Sequence, residues 1–259
     1  DFASQGQSNW TLNKLSAVKN GSGTALPLFQ ARDNANRRQP ITMEPTVAFG
    51  PNQGMIVLVG TGKFLEANDN ATPFYAQSAY AFYDKSTSRT LDRSFLQTAT
   101  ASSNTVSAAD FIWGIPASAS DATSRAGWFF DFPDSTSGER QISGMTIFGG
   151  KVLWGTVLPA ASGCSDGEGR LYVTDLGTGD GSFGDSNVGI QGQPLIVRVG
   201  NTTISDVDTT GRGSANNRWQ VILQGSGGVR VSSTITDSTP VFRMSWRQIF
   251  NYQELKNKP

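Results

Sequence analysis

A strand pattern that occurs twice sets the strongest limit on how this chain can fold. The first copy reads Pro45-Thr46-Val47-Ala48-Phe49, crosses a Gly/Pro/Asn turn, and continues as Met55-Ile56-Val57-Leu58-Val59-Gly60-Thr61-Gly62. After a loop comes Ser78-Ala79-Tyr80-Ala81-Phe82-Tyr83-Asp84. The second copy reads Met145-Thr146-Ile147-Phe148, a Gly-Gly turn, then Lys151-Val152-Leu153-Trp154-Gly155-Thr156-Val157, and after a loop Gly169-Arg170-Leu171-Tyr172-Val173-Thr174-Asp175. A strand–turn–strand–loop–strand unit cannot cover its own faces and needs neighbouring copies. The pattern predicts an all-β fold made of β-propeller blades.

A Trp that opens a short strand recurs as Trp10-Thr11-Leu12, Trp128-Phe129-Phe130 and Trp219-Gln220-Val221, with Trp246 as a fourth instance. The first two precede the two copies and read as outer strands leading inward to the next blade. Between these patterns lie polar insertions. The largest, from about Lys85 to Arg125, is dense in Ser, Thr and Ala around the apolar cluster Phe111-Ile112-Trp113-Gly114-Ile115; others cover Gly177–Gln193 and Ile204–Arg218. Loops of this length carry function or move. A single short helix is expected over Asp92–Gln97, with Asp92 as its N-cap. Residues 1–250 are read as an incomplete set of blades and 251–259 as a flexible tail. Nothing before Trp10 resembles the start of a domain, so the chain reads as a piece of something longer.

Charge and composition remove several function classes. Lys plus Arg number 21, as do Asp plus Glu, which leaves no electrostatic footprint for nucleic acid or anionic lipid. No apolar run approaches the roughly 20 residues of a membrane span. There is no His and one Cys, Cys164. That excludes Ser-His-Asp and Cys-His catalysis, an internal disulfide and the usual zinc sites.

The motifs that remain are incomplete. Gly60-Thr61-Gly62-Lys63 lacks the upstream Gly of a phosphate loop, since that position is Val57, and Lys63 precedes Phe64. A strand ending in a tight turn explains it, with the glycines supplying positive φ. Asp206, Asp208 and Thr210 with Gly211 carry the opening rhythm of a calcium loop, but Asn217 stands where the closing Glu belongs. They are a weak metal candidate beside the simpler reading of a solvated turn. Asp175, Asp180 and Asp185 match no loop geometry. Glu44, Glu66, Glu139 and Glu168 lie beside turns and form no recognisable acid–base pair, so no catalytic or cofactor-binding residue is assigned.

Four blocks in order, Phe29-Gln30-Ala31-Arg32, Arg38-Gln39-Pro40-Ile41-Thr42, Val59-Gly60-Thr61-Gly62-Lys63-Phe64-Leu65-Glu66 and Gln77-Ser78-Ala79-Tyr80-Ala81-Phe82-Tyr83-Asp84, closely resemble the C-terminal propeller of the PilC/PilY family. Gly138-Glu139-Arg140, Cys164-Ser165, Leu171-Tyr172-Val173-Thr174-Asp175 and Ser245-Trp246-Arg247 continue the match, over roughly residues 26 to 250. These are tip-associated adhesins and assembly proteins of bacterial type IV pili. The resemblance implies the C-terminal portion of a seven-bladed, quinoprotein-dehydrogenase-like propeller with long inserted loops. It implies a non-enzymatic, exported protein at the pilus tip or outer-membrane surface. Its partners would be minor pilins, the N-terminal remainder of the same protein, and a host or abiotic surface. The family's calcium loop would lie upstream of Asp1, so no cofactor is expected in this segment. The alternatives are a quinone-dependent dehydrogenase propeller and a carbohydrate-binding propeller. The inserted loops, about 85–125 and 177–217, are the expected contact surfaces. The strand near Val241–Phe250 is expected to close the last blade or pair with a minor pilin.

Overall fold

The computed structural model describes residues 12–13, 27–85, 90–121, 123–134, 137–159, 167–199, 203–205 and 212–242. The chain divides into two compact units, Asp1–Ile196 with Val221–Ser232, and Val197–Gln220 with Ser233–Pro259. The described residues form strands and three short 3-10 turns, with no α-helix among them. No helix is long and apolar enough to cross a membrane among the described residues.

In the larger unit, β1 (Leu12–Asn13) pairs antiparallel with β2 (Pro27–Phe29). β3 (Thr46–Phe49), β4 (Met55–Gly60) and β5 (Ser78–Asp84) follow as an antiparallel meander. Next come the hairpin β6 (Gln97–Ser102) and β7 (Thr105–Ala108), and the parallel pair β8 (Ile112–Trp113) and β9 (Ser124–Arg125). β10 (Gly127–Asp131), the strand that Trp128 opens, returns antiparallel to β5 and completes a four-stranded unit. The second copy repeats it as β11 (Thr146–Phe148), β12 (Lys151–Leu158), β13 (Glu168–Asp175) and β14 (Gly181–Asp185). The chain continues through β15 (Leu195–Arg198), β16 (Thr203–Ser205), β17 (Arg212–Gly225) and β18 (Gly228–Phe242). In the smaller unit β16 runs antiparallel to β17, with Thr203 opposite Asn216.

Both meanders are therefore as the repeat predicts, but they do not stand as separate blades. They belong to one ten-stranded sheet, ordered β11-β12-β13-β14-β7-β6-β10-β5-β4-β3. The link is the segment expected to be a loop. β6 lies parallel to β10 and β7 lies antiparallel to β14, so the hairpin joins the outer strands of the two meanders. Its Thr/Ala/Ser composition alternates: Ala99 and Val106 are buried, and Thr98 and Thr100 are exposed. Ser103 and Asn104 take the two left-handed positions of its tight turn. The helix expected over Asp92–Gln97 is a single 3-10 turn, Arg93–Phe95, and Gln97 already belongs to β6. Its cap is as expected, since Asp92 accepts from Ser94 N at 2.8 Å. The polar stretch after Gly177 likewise contains a strand, β14, whose Phe183 is buried.

The packing follows from period-2 alternation in strands covered on both faces. Ile56 and Leu58 of β4, Ala79 and Ala81 of β5, and Trp128 and Phe130 of β10 join Val152, Trp154, Tyr172 and Phe183 of the second meander in one core. The alternate residues Val57, Val59, Tyr80, Phe82 and Phe129 join Leu28, Phe29, Ile41, Leu91 and Leu96 in another. Aromatic rings carry much of both cores. Trp154 stacks on Tyr172 at 5.3 Å, Tyr172 on Phe183 at 4.9 Å, and Phe29 on Phe82 at 4.6 Å. Each such ring contributes about 1.5–3 kcal/mol on burial, which is why the meanders need one another and the flanking segments.

Phe111 and Trp113, the aromatics of the apolar cluster in the largest insertion, act as anchors. They pack against the first core, and Trp113 Nε1 donates to Gly177 O at 2.7 Å.

Candidate functional site

Each meander holds a buried polar cluster around a tyrosine of its third strand. In the first, the Tyr80 hydroxyl donates to Gln39 Oε1 and accepts from Arg93 Nε at 2.8 Å. Gln39 Nε2 donates to Ser78 Oγ at 2.8 Å, and Arg93 Nη2 reaches Asp131 Oδ1 at 2.5 Å. Burial pushes the Tyr80 phenol up to about 12. In the second, Glu139 is 0% exposed. Its Oε1 accepts from Thr156 Oγ1 and from the Tyr172 hydroxyl, both at 2.7 Å. Its Oε2 accepts from Arg170 Nη1 at 2.9 Å and from Asp134 N at 3.2 Å. Burial first, then the Glu139 charge, drives the Tyr172 phenol far above its ordinary range, so Tyr172 keeps the proton it donates to Glu139. Gln39 and Glu139 each stand seven residues ahead of the first strand of their meander, at Thr46 and Thr146.

These clusters direct their polar groups at one another, as buried polar groups must. They latch lead-in segments onto strands. Gln141 and Gln191 do the same in the opposite direction, each reaching back onto the preceding meander. Gln141 N donates to Thr61 O at 3.0 Å, and Gln191 Nε2 donates to Thr156 O at 3.4 Å and to Arg170 O. A methyl group on Gly60 would sit 1.8 Å from Gln141 Oε1, and one on Gly155 would sit 2.1 Å from Gln191 Nε2. Gly60 is thus a close-approach glycine, not the positive-φ residue expected; within Gly60-Thr61-Gly62 only Gly62 has positive φ, at +150°.

The same turn borders a cleft of about 230 Å³ lined by Arg38, Lys63, Asp69, Phe74, Tyr75 and Arg140, among others. Lys63 is held by Glu66 at 2.9 Å and Asp69 at 3.4 Å. Arg140 is 8% exposed and has no carboxylate within ion-pair distance among the described residues. It donates to Gly138 O and Lys63 O, both at 2.7 Å, and its guanidinium lies 5.3 Å from the Phe74 ring centroid. Burial lowers its pKa, with Asp69 opposing. Arg38 is exposed at the cleft wall. A second cleft, of about 350 Å³, is lined by Glu168, Asp185, Asn187 and glycines.

The sequence candidates scatter. No group of three His, Cys, Asp or Glu side chains suited to a metal forms among the described residues. Asp206, Asp208 and Thr210, Cys164, Trp10, Trp246 and residues 243–259 lie outside the described residues. Asp175 closes a turn by accepting from Gly177 N at 2.8 Å, Asp180 accepts from Ala108 N at 2.6 Å, and Asp185 lies 3.8 Å from Arg170. In the sequence Arg140 stands out only as part of a matching block, and Glu139 there and as one of four glutamates beside turns. Their signal was the seven-residue offset that Glu139 shares with Gln39.

No protein-family model matches the chain. It is similar to the type IV pilus biogenesis factor PilY1 homolog of Xylella fastidiosa, with 32% identity over 202 residues, covering 75% of this chain and 13% of that protein. It is also similar to the type IV pilus biogenesis factor PilY1 of Pseudomonas aeruginosa, with 32% identity over 173 residues, covering 56% of this chain and 15% of that protein. The crystal structure of the Pseudomonas aeruginosa PilY1 C-terminal domain shares its fold, with a TM-score of 0.50 and 22% identity over 80% of this chain and 47% of that one. The chain therefore spans a small part of the length of its curated relatives, and by sequence it is a homologue of the PilY1 type IV pilus biogenesis factors.

Proposed function

We propose that this chain is the C-terminal part of a seven-bladed propeller in a type IV pilus biogenesis factor. Its role is that of a non-enzymatic adhesin and assembly module, exported to the pilus tip, where it binds minor pilins and meets the surface to be colonised. The carrying observation is the 32% identity to pilus biogenesis factors across 202 residues. Two four-stranded antiparallel meanders, packed through a shared aromatic core, support the propeller reading. So does β3, which ends the sheet with Phe49 89% exposed, as a blade awaiting its neighbour would be. Rigid strands carrying exposed connections suit adhesion. The contact surface is narrower than the whole 85–125 insertion, because β6 and β7 are built into the sheet; the hairpin tip at Ser102–Thr105 and the exposed Ile112 remain available.

The test is complementation of a strain lacking its own factor with the intact protein, or with a version ending before Val241. The intact protein is expected to restore surface pili and to bring down minor pilins, and the truncated one to lose both. Intact protein that restores neither overturns the reading.

A further inference from the structure

We propose that the cleft bordered by Arg38, Lys63 and Arg140 binds a carboxylated sugar ring, such as a uronate. The argument starts from charge. Lys63 is already matched by Glu66 and Asp69, which leaves the two guanidiniums as the cations the cleft can offer. Arg140 is nearly buried with no carboxylate at ion-pair distance among the described residues, Asp69 of the same cleft acting on it only at longer range. A buried charge without a counter-charge is costly, and a guanidinium fork matches a carboxylate. Arg38, at the mouth, supplies a second.

The remaining walls suit a ring. Phe74 and the half-exposed Tyr75 give apolar surface, and Tyr75 is held in place by Arg37, whose guanidinium lies 4.2 Å from its ring centroid. Gln77 also lines the cleft, and its side-chain oxygen is buried with no hydrogen-bond partner among the described residues. A cavity of about 230 Å³ takes one sugar ring. An acidic peptide fits less well, because the backbone groups nearby are already engaged. Gly62 N bonds Pro40 O at 2.8 Å, and Leu65 N and Glu66 N both bond Asp69 Oδ2 at 2.8 Å. A peptide would find no ladder to join. This inference stands apart from the pilus reading, since it needs only the cleft.

The experiment is a titration of the full chain with glucuronate, glucose, acetate and a short acidic peptide, followed by saturation-transfer difference NMR and calorimetry. Glucuronate is expected to bind at least about tenfold more tightly than glucose, acetate or the peptide. Arg38→Glu, on an exposed residue, is expected to abolish glucuronate binding while leaving the thermal midpoint unchanged. Arg38→Lys should retain part of it, and Tyr75→Ala should weaken it without touching the charge. No glucuronate binding, equal binding of acetate, tighter binding of the peptide, or undiminished glucuronate binding by Arg38→Glu would each overturn the proposal.

Discussion

The two meanders solve one problem with different chemistry. Each must pin a lead-in segment to its third strand through a buried tyrosine. The first uses an amide, Gln39, against Tyr80; the second uses a carboxylate, Glu139, against Tyr172. The amide cluster sits beside the Arg93–Asp131 pair, whose charges are partly exposed. The carboxylate cluster buries its charge fully, and so needs Thr156, Tyr172, Arg170 and the Asp134 backbone as donors. A buried ion is tolerated only when its partners are complete. The second latch should accordingly be the more brittle one, because every member depends on the others.

That comparison can be broken most directly at its centre. Glu139→Ala leaves Tyr172 and Thr156 without their acceptor and Arg170 with only Asp134 and Asp185, and is expected to cost about 3 kcal/mol or more. Gln39→Ala, which removes a neutral group, is expected to cost about 1–3 kcal/mol. Urea denaturation of both variants measures the gap, and equal midpoints would show that the carboxylate confers no special dependence. The glutamine clasps come next. Gly60→Ala and Gly155→Ala each drive a methyl group into a glutamine side chain and are expected to cost about 1–3 kcal/mol. Adding Gln141→Ala to the first, or Gln191→Ala to the second, should recover part of the loss; a purely additive double variant would mean the clash is not the cause.

Removing the hydroxyls sharpens the same contrast. Tyr172→Phe gives up a bond to a fully buried carboxylate, worth about 1.5–3 kcal/mol, whereas Tyr80→Phe gives up one to an amide, worth about 1 kcal/mol, and one from the partly exposed Arg93, which keeps Asp131 as its partner. Thermal melts that rank them the other way would reverse the assignment of the stronger latch. The last handle is pH. Tyr80 is raised from 10.0 to about 12 in the folded state by burial. A raised pKa means the folded form holds its proton longer than the unfolded one. The stabilisation is then complete below pH 10 and lost as pH rises through about 12. Denaturation midpoints between pH 9 and 12 should fall, and Tyr80→Phe should flatten part of that fall; a parallel decline in the variant would remove Tyr80 from the account.

Legibility in the sequence varied with the kind of signal. β4, β5, β10, β12 and β13 are runs of Val, Ile, Phe, Trp and Tyr, and their strand pattern is visible because those side chains also make the core. The hairpin β6–β7 reads as a loop in the sequence because Thr, Ala and Ser alternate there with little contrast in hydropathy. Its buried positions face the crowded aromatic core, where small residues fit. β14 was hidden in the same way, with Phe183 as its single strong signal. The clusters were legible only in part. Glu139 and Arg140 belong to a block quoted for the family resemblance, but no local rule says that one becomes the centre of a buried network and the other the floor of a cleft.

What the sequence determined by itself is the all-β class, the twofold strand pattern, the absence of histidine chemistry and the likeness to pilus biogenesis factors. These are properties of residue order, carried by periodicity and by motifs a few residues long. What only the tertiary structure decided is which distant residues meet. Arg140 reaches the Lys63 backbone from 77 positions away, and Gln39 meets Tyr80 from 41 positions away. Such pairings depend on how the sheet brings the meanders and their lead-in segments together. Many alternative pairings share the same local pattern, and only the packing of the cores selects among them.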